Sequence, residues 1–292
     1  LVAPVYNNLY IWLFGEESAE AWVNTGNADF TFERQPGLAI SFGLISSHGV
    51  VVAGNQLYWV GRTAKGSALI YQSNGFQPMV ISTEDINFFL SNNTVDDCFA
   101  YNLILDGHEW VVFTFPTADT TWVYDLTTQK WFQWMSYNPT ASTYGRHFSN
   151  CHMLLNGQHI VGDSQSGNLY KLDFATYTDA GNTIRRRITS DHMDFNQKFV
   201  RCSDLVIRFQ MGVGLVSGQG SDPQVWLEVS KDFGNTWSNP MNRSLGAIGN
   251  FKDRVHYPFL GMSRKWTYRL TLTDPVEAVI IGASAEFDVE KN

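Results

Sequence analysis

Three segments of the chain repeat one plan at a spacing that few folds accommodate. GNQLYW (54–59) is followed by LIY (69–71), GHEWVVF (107–113) by WVYD (122–125), and GQHIV (157–161) by NLYKLD (168–173). Each reads as turn, strand, polar turn, strand. The leading glycines Gly54, Gly107 and Gly157 stand 53 and then 50 residues apart. A fainter copy opens the chain, LYIW (9–12) and then AEAW (19–22). Glycine supplies the positive φ of a tight reversal. The runs after it are rich in Val, Ile, Tyr and Trp, with the partial alternation of half-buried strands. A period near 50 with several strands per unit is the spacing of propeller blades. Each blade buries its faces against its neighbours, and ring closure leaves only short edges. The expectation is an all-β chain whose residues 1–190 form propeller blades. About five to six blades are expected, part of the ring lying before Leu1, because the chain starts without Met inside a strand-like pattern. The competing reading is a set of unrelated meanders in a sandwich.

One helix interrupts the pattern. Ser82-Thr83-Glu84-Asp85-Ile86 offers an N-cap followed by two acids, and Ile86, Phe89 and Leu90 then share one face. Such a face is core packing between blades, not a cofactor box. After residue 190 the rhythm changes, so residues 191–292 are read as an elaborated last blade or a small appended sandwich. Within them GVGLVSGQG (212–220) is checked as a phosphate loop and rejected. No Lys follows it, and no GxGxxG opens a helix. A long hairpin connection fits better.

The same region holds SKDFGNTW (230–237). Its spacing, Ser-x-Asp-x-Gly-x-Thr-Trp, resembles the Asp-box of sialidases and other β-propellers. The chemistry of these residues is that of a turn. Asp232 can accept backbone N–H bonds, Gly234 can take the left-handed conformation, and Ser230 and Thr236 can tie the arms. Trp237 is expected to pack between strands as an anchor. Catalysis would need more. The Phe/Tyr-Arg-Ile-Pro motif of sialidases is absent, and the sequence does not bring together Arg62, Arg146, Arg201, Arg208, Arg254 and Arg264. Two carboxylates facing each other at about 5–10 Å would be required for ordinary glycoside hydrolysis. The adjacent pairs Glu16-Glu17, Asp96-Asp97 and Glu84-Asp85 do not supply that, since neighbours on a strand point to opposite faces and the helical pair sits in its dipole-favoured first turn. GDSQSG (162–167) has the wrong spacing for a nucleophile elbow. The chain is therefore read as not an enzyme. A sugar platform of Trp59, Trp110, Trp122, Trp131 and Trp134 is considered, but strand positions favour blade packing.

Composition narrows the partners. The net charge of −8 opposes wrapping duplex DNA, which needs clustered cations to displace counterions. Arg185-Arg186-Arg187 is read as a solvated or ion-paired face. Charged residues are only 16% of the chain and aromatics 14%, which suggests a surface covered in part by a partner. Cys98, Cys151 and Cys202 are odd in number and far apart, and the seven histidines form no HExxH, so neither a disulfide framework nor a metal nor any cofactor is expected. No apolar run approaches the ~20 residues of a membrane span.

Several stretches, in order, carry a resemblance across nearly the whole chain. They are FGEESAEAWVNTG (14–26), LYWVG (57–61), ISTE (81–84), Gly107-His108, TFP (114–116), TWVYD (121–125), and MGVG (211–214) through GQGSDP (218–223) to SKDFGNTW. The chain resembles the phage DNA-packaging stabilisation proteins, the tail hub or nozzle-type proteins of short-tailed phages. The resemblance implies a structural virion protein of the tail, assembled in the host cytoplasm. It implies a sixfold homo-oligomer that extends the DNA channel below portal and adaptor rings and stabilises packaged DNA. Its expected partners are an adaptor ring, a tail spike or fibre, a plug or needle, and double-stranded DNA passing without sequence-specific binding. An acidic channel wall would let DNA slide. Glu16, Glu17 and Glu20 lie in one of the shared motifs and are candidates for partner contact. The alternative from a different class is a carbohydrate-binding propeller, which needs an exposed Trp or Tyr beside Asp or Asn on one rim. A sialidase-like hydrolase is the third reading.

Overall fold

The computed structural model of the protein describes residues 1–64, 66–251 and 254–289. It divides into two compact units, Leu1–Asp173 and Phe174–Asn292.

The first unit is a run of four antiparallel meanders. The first contains β1 (Ala3–Asn7), β2 (Tyr10–Phe14), β3 (Ala19–Asn24) and β4 (Phe32–Arg34), hydrogen-bonded in that order. The second contains β5 (Val50–Ala53), β6 (Gln56–Gly61), β7 (Leu69–Asn74) and β8 (Gln77–Val80). Helix α1 (Glu84–Asn92) links it to the third, which contains β9 (Phe99–Leu105), β10 (His108–Phe115), β11 (Thr120–Asp125), β12 (Lys130–Asn138) and β13 (Thr143–Arg146). The fourth holds β14 (Ser149–Leu155), β15 (Gln158–Asp163) and β16 (Leu169–Leu172). Among the described residues four blade-type sheets lie in this unit; the five to six expected counted blades before Leu1 as well.

The packing explains why the central strands lack clean alternation. Residues of β6 point alternately into two different cores. Leu57 and Trp59 join Trp12, Phe14 and Ala21 of the first blade, while Tyr58 and Val60 join Val111, Phe113 and Phe115 of the third. Strand β10 repeats the device, sending Trp110 and Val112 toward the fourth blade with Tyr101 and Leu103. A strand buried on both faces reads as a continuous apolar run. The tryptophans are part of this packing. Trp59 is 1% exposed and stacks on Tyr71. Trp131 packs on Tyr124 and donates Nε1 to the Ile81 carbonyl at 2.8 Å.

The helix begins where expected, with Thr83 in the extended N-cap position and Glu84 and Asp85 in the first turn. The hydroxyl of Ser82 does not cap it. That oxygen accepts from Ile70 N at 3.2 Å and donates to Asn87 Oδ1 at 2.6 Å, tying the helix to the second blade. Ile86 and Leu90 are buried, and Phe89 packs edge-on against Phe115.

The second unit is a sandwich. A small hairpin, β17 (Thr178–Asp179) and β18 (Asn182–Thr183), precedes it. One sheet contains β19 (Arg186–Thr189), β22 (Gln224–Ser230), β23 (Met241–Ser244) and β25 (Lys265–Leu272) in the order β19-β25-β22-β23, with β20 (Met193–Asp194) also on β25. The other has the order β24-β21-β26, from β21 (Val200–Phe209), β24 (Val255–Ser263) and β26 (Ile280–Val289). Residues 174–190, read from sequence with the propeller, therefore supply β17, β18 and β19 to this unit. The core lies between the sheets, with Val225, Leu227 and Val229 facing Leu205, Ile207, Val255 and Tyr257. A bulge at Cys202/Asp204 resets the parity of β21, so that Val200 and Cys202 and then Leu205, Ile207 and Phe209 all reach it. The stretch 212–220 is the connection from β21 to β22, closed by Leu215 N to Gly220 O at 2.7 Å. Arg186 is spent inside the unit. Its guanidinium donates to the carbonyls of Val276 and Asp274.

Candidate functional site

The turn after β22 has the geometry its residue types call for. Ser230 is fully buried, and its hydroxyl accepts from Gly234 N at 2.7 Å while donating to Asp232 Oδ1 at 2.7 Å. The Asp232 carboxylate accepts from Thr236 N at 2.8 Å and Thr236 Oγ1 at 2.6 Å. Hydrogen bonds that favour the charged form, those from Thr236 first, bring the Asp232 carboxyl down to about 2. Phe233 and Gly234 both carry positive φ, +60° and +88°. All five predicted residues of the turn are thus brought together. The turn lies in the sandwich, one of the two forms expected for residues 191–292. One expectation changes: Trp237 is not sealed between strands. Trp237 is half-buried, with the Arg269 guanidinium 3.8 Å above its ring. Arg269 in turn makes a bidentate pair with Glu228, at 2.9 and 2.7 Å, across the β22–β25 register. The ring covers one side of an ion pair, which strengthens that pair by excluding water.

The three glycines sit in equivalent reversals. The loops Gly54-Asn55, Asp106-Gly107 and Asn156-Gly157 each join the first two strands of a blade, and both residues of each have φ between +51° and +79°. That is the type I′ signature, whose twist matches the strands. The first blade has the same reversal at Asn8-Leu9, with φ of +48° and +71°, so that Leu9 occupies the place of a glycine. Neighbouring tips are linked. Asn7 Nδ2 and Asn8 Nδ2 donate to the Asn55 carbonyl at 3.2 and 2.9 Å, and Gly54 N donates to Glu109 Oε1 at 2.8 Å. Sequence reasoning missed these links, although Asn-Asn and Gly-Asn before a strand were a readable signal of paired turns.

Strand β5 lies beside β9, and β9 beside β14. Ala100 N donates to the His48 carbonyl at 2.8 Å, and the Tyr101 hydroxyl meets Ser149 Oγ at 2.7 Å. Together with β1 they contain no Asp, Glu, Lys or Arg. The acidic residues lie elsewhere. Glu16 and Glu17 are exposed in the β2–β3 turn, where Gly15 N donates to Ser18 O at 2.7 Å. The peptide joining them is held from behind by Gly43, at which a Cβ would stand 2.1 Å from the Glu16 carbonyl. Glu20 is paired with Arg34 at 3.0 Å.

A second carboxylate-closed turn escaped the sequence reading. Asp125 accepts from Thr127 N and Thr128 Oγ1, each at 2.8 Å, and lies 2.9 Å from His108 Nδ1. Burial pushes its carboxyl up, but the bonds from Thr128, Thr127 and His108 outweigh burial and hold it below the usual range. The threonine bonds close the β11–β12 turn, and the His–Asp pair ties β10 to the end of β11. Among the described residues no cluster of three or more His, Cys, Asp or Glu could hold a metal ion, and no helix is long and apolar enough to cross a membrane.

Comparison with known proteins gives two matches in chain order. Residues 2–177 match the family described as Bacteriophage P22 Gp10, beta-propeller, and residues 185–288 match that described as Bacteriophage P22 Gp10, beta-sandwich. No curated protein matches the chain. Among solved structures, a glycoside hydrolase family 43 arabinoxylan arabinofuranohydrolase from Bacillus subtilis, in complex with cellotetraose, is 8% identical with a TM-score of 0.25. The alignment covers 98% of this chain and 66% of that one.

Proposed function

The chain belongs to the bacteriophage P22 Gp10 family of phage structural proteins, and on that premise we propose that it is the tail hub, or nozzle, of a short-tailed phage. In this reading it extends the DNA channel below the portal and adaptor rings as a homo-oligomer, taken as a hexamer. It helps retain packaged DNA and carries the spike, fibre or plug that completes the tail. The observation that carries the reading is the order of the two matched parts, propeller and then sandwich, over residues 2–177 and 185–288.

The role is structural rather than catalytic. The acid pairs that hydrolysis would use have other positions, in a β2–β3 turn, in the first turn of α1 and beside the β10–β11 turn, where Asp97 accepts from Thr117 N at 2.7 Å. Glu16 and Glu17 remain candidates for contact with a neighbouring tail protein. They are exposed on a turn whose backbone is fixed from behind by Gly43, so little ordering entropy is lost on binding.

The test is complementation. The protein is added to DNA-filled particles that lack their hub, and genome retention and particle mass are measured. Retained DNA with a mass increment near six subunits is the expected result. Particles that neither gain mass nor keep their DNA would overturn the hub reading.

A further inference from the structure

We propose that the recess between the first two hairpin tips of the blade unit binds a neutral sugar residue. The recess has a volume of about 400 Å³ and is lined by Tyr6, Asn7, Asn8, Leu9, Val52 and Asn55. That is the size range of small-ligand sites, and the lining is of the mixed kind they use. Tyr6 is 65% exposed on β1, whereas the aromatic rings of the adjoining blade core, Trp12, Phe14, Trp59 and Tyr71, are buried. An exposed ring flanked by amides is the pairing that saccharides select. The C–H face of a pyranose packs on the aromatic, and its hydroxyls, each both donor and acceptor, pair with groups of the same kind.

The amides are arranged to offer such pairing. The Nδ2 groups of Asn7 and Asn8 are both committed to the Asn55 carbonyl, at 3.2 and 2.9 Å. This fixes the two side chains and leaves their Oδ1 acceptors open. The Asn55 side chain and the Tyr6 hydroxyl make no hydrogen bond within the described residues. The site therefore presents acceptors held in place by the hairpin backbones, donors from Asn55, and one ring.

Charge selects the ligand further. None of the six lining residues is charged, and strands β1 and β5 beside the recess carry no charge at all. The carboxylate of Glu109 accepts from Gly54 N at 2.8 Å, one residue from Asn55. An anionic sugar would find no cation among the six lining residues and would meet this carboxylate beside them. The ligand class is thus a neutral hexose or deoxyhexose unit and not a uronic or sialic acid.

Saturation-transfer NMR on the full chain tests this, with mannobiose, galactobiose and a rhamnose disaccharide as neutral probes and digalacturonic acid as the anionic one. At least one neutral probe should show transfer with a Kd of about 1–10 mM, and the acid should show none. Tyr6→Ala should weaken binding at least about tenfold, Tyr6→Phe by no more than about twofold, and Asn55→Gly, which keeps the positive φ of the turn, by several-fold. Unchanged melting temperatures would show that the variants are folded. Silence from every neutral probe at about 10 mM overturns the proposal. So does binding that ignores both Tyr6→Ala and Asn55→Gly. The site and the hub role fail separately, because Tyr6→Ala should leave genome retention intact.

Discussion

The two units solve the same problem by opposite routes. In Leu1–Asp173 each strand pairs with its neighbour in sequence, and every blade repeats the two-residue reversal. In Phe174–Asn292 the decisive pairs are distant. Strand β21 lies between β24 and β26, and β25 joins β19 to β22. Local pairing closes small loops, whereas the sandwich must order long connections before its core forms. Structure that is locally determined leaves a periodic trace in the sequence, and structure determined at a distance does not.

The strongest way to break the comparison is to empty each core in turn. Trp59 and Trp266 are 1% and 0% exposed, so Trp59→Ala and Trp266→Ala should each cost about 3–5 kcal/mol. Hydrogen exchange should localise the damage. Trp59→Ala should speed exchange in β5–β7 and β10, and Trp266→Ala in β21, β22 and β25. If both variants loosened the same amides, the division into two independently built cores would be wrong.

Backbone crowding differs from backbone twist, and glycines separate them. At Gly43 an added Cβ would meet the Glu16–Glu17 peptide at 2.1–2.2 Å, with ordinary φ at the glycine. Neither partner is a side chain that can turn away. Gly43→Ala should therefore cost about 1–3 kcal/mol by overpacking. At Gly234 there is room, since the nearest atoms are 3.7 Å away, but φ is +88°. Gly234→Val should cost about 1–2 kcal/mol through conformation alone. Chemical denaturation of the two variants checks both figures. A harmless Gly234→Val would mean that the turn is not held as described.

These cases also show what the sequence could reveal. Gly54, Gly107 and Gly157 were legible because a type I′ turn restricts residue choice at one position. SKDFGNTW was legible because its side chains bond to one another within seven residues. Gly43 was not, because its constraint comes from a peptide more than 25 residues earlier, and nothing in its neighbourhood announces that. The sandwich was half visible. A change of rhythm marked it, but β19 pairs with β25 across some 80 residues, so Arg185–Arg187 read as a surface run and the boundary was drawn after it. The bulge in β21 likewise breaks the alternation by which a buried strand is recognised. Among site residues, Asp232 was found and Asp125 missed. The former ends in Gly-x-Thr-Trp and the latter in Thr-Thr, a weaker signature for the same chemistry.

The charge on Asp232 gives a smaller effect with a definite sign. Its carboxyl lies at about 2 in the folded chain, below the ordinary 3.8. The unfolded chain then binds more protons between these values. The stabilisation is present above about pH 4 and is lost as pH falls toward 2. Melting temperatures recorded from pH 5 to 2 should fall in the wild type more steeply than in Asp232→Asn, with the difference confined to this window. Parallel curves would remove Asp232 from the account of the turn.

The smallest prediction concerns Leu9. In three blades a glycine takes one of the two positive-φ positions, but in the first blade Asn8 and Leu9 hold +48° and +71°. Leu9 is also 76% exposed, so its side chain contributes little burial in return. A left-handed φ costs a non-glycine residue about 1–2 kcal/mol. Leu9→Gly removes that cost but adds freedom to the unfolded chain, worth about 0.4–1 kcal/mol. The net expectation is a gain of roughly 0.5 kcal/mol. Urea unfolding with an unchanged slope would report it as a shift in midpoint. A loss of stability would mean that Leu9 is kept by a contact at the first hairpin tip that outweighs its strain, and the four reversals would no longer be equivalent.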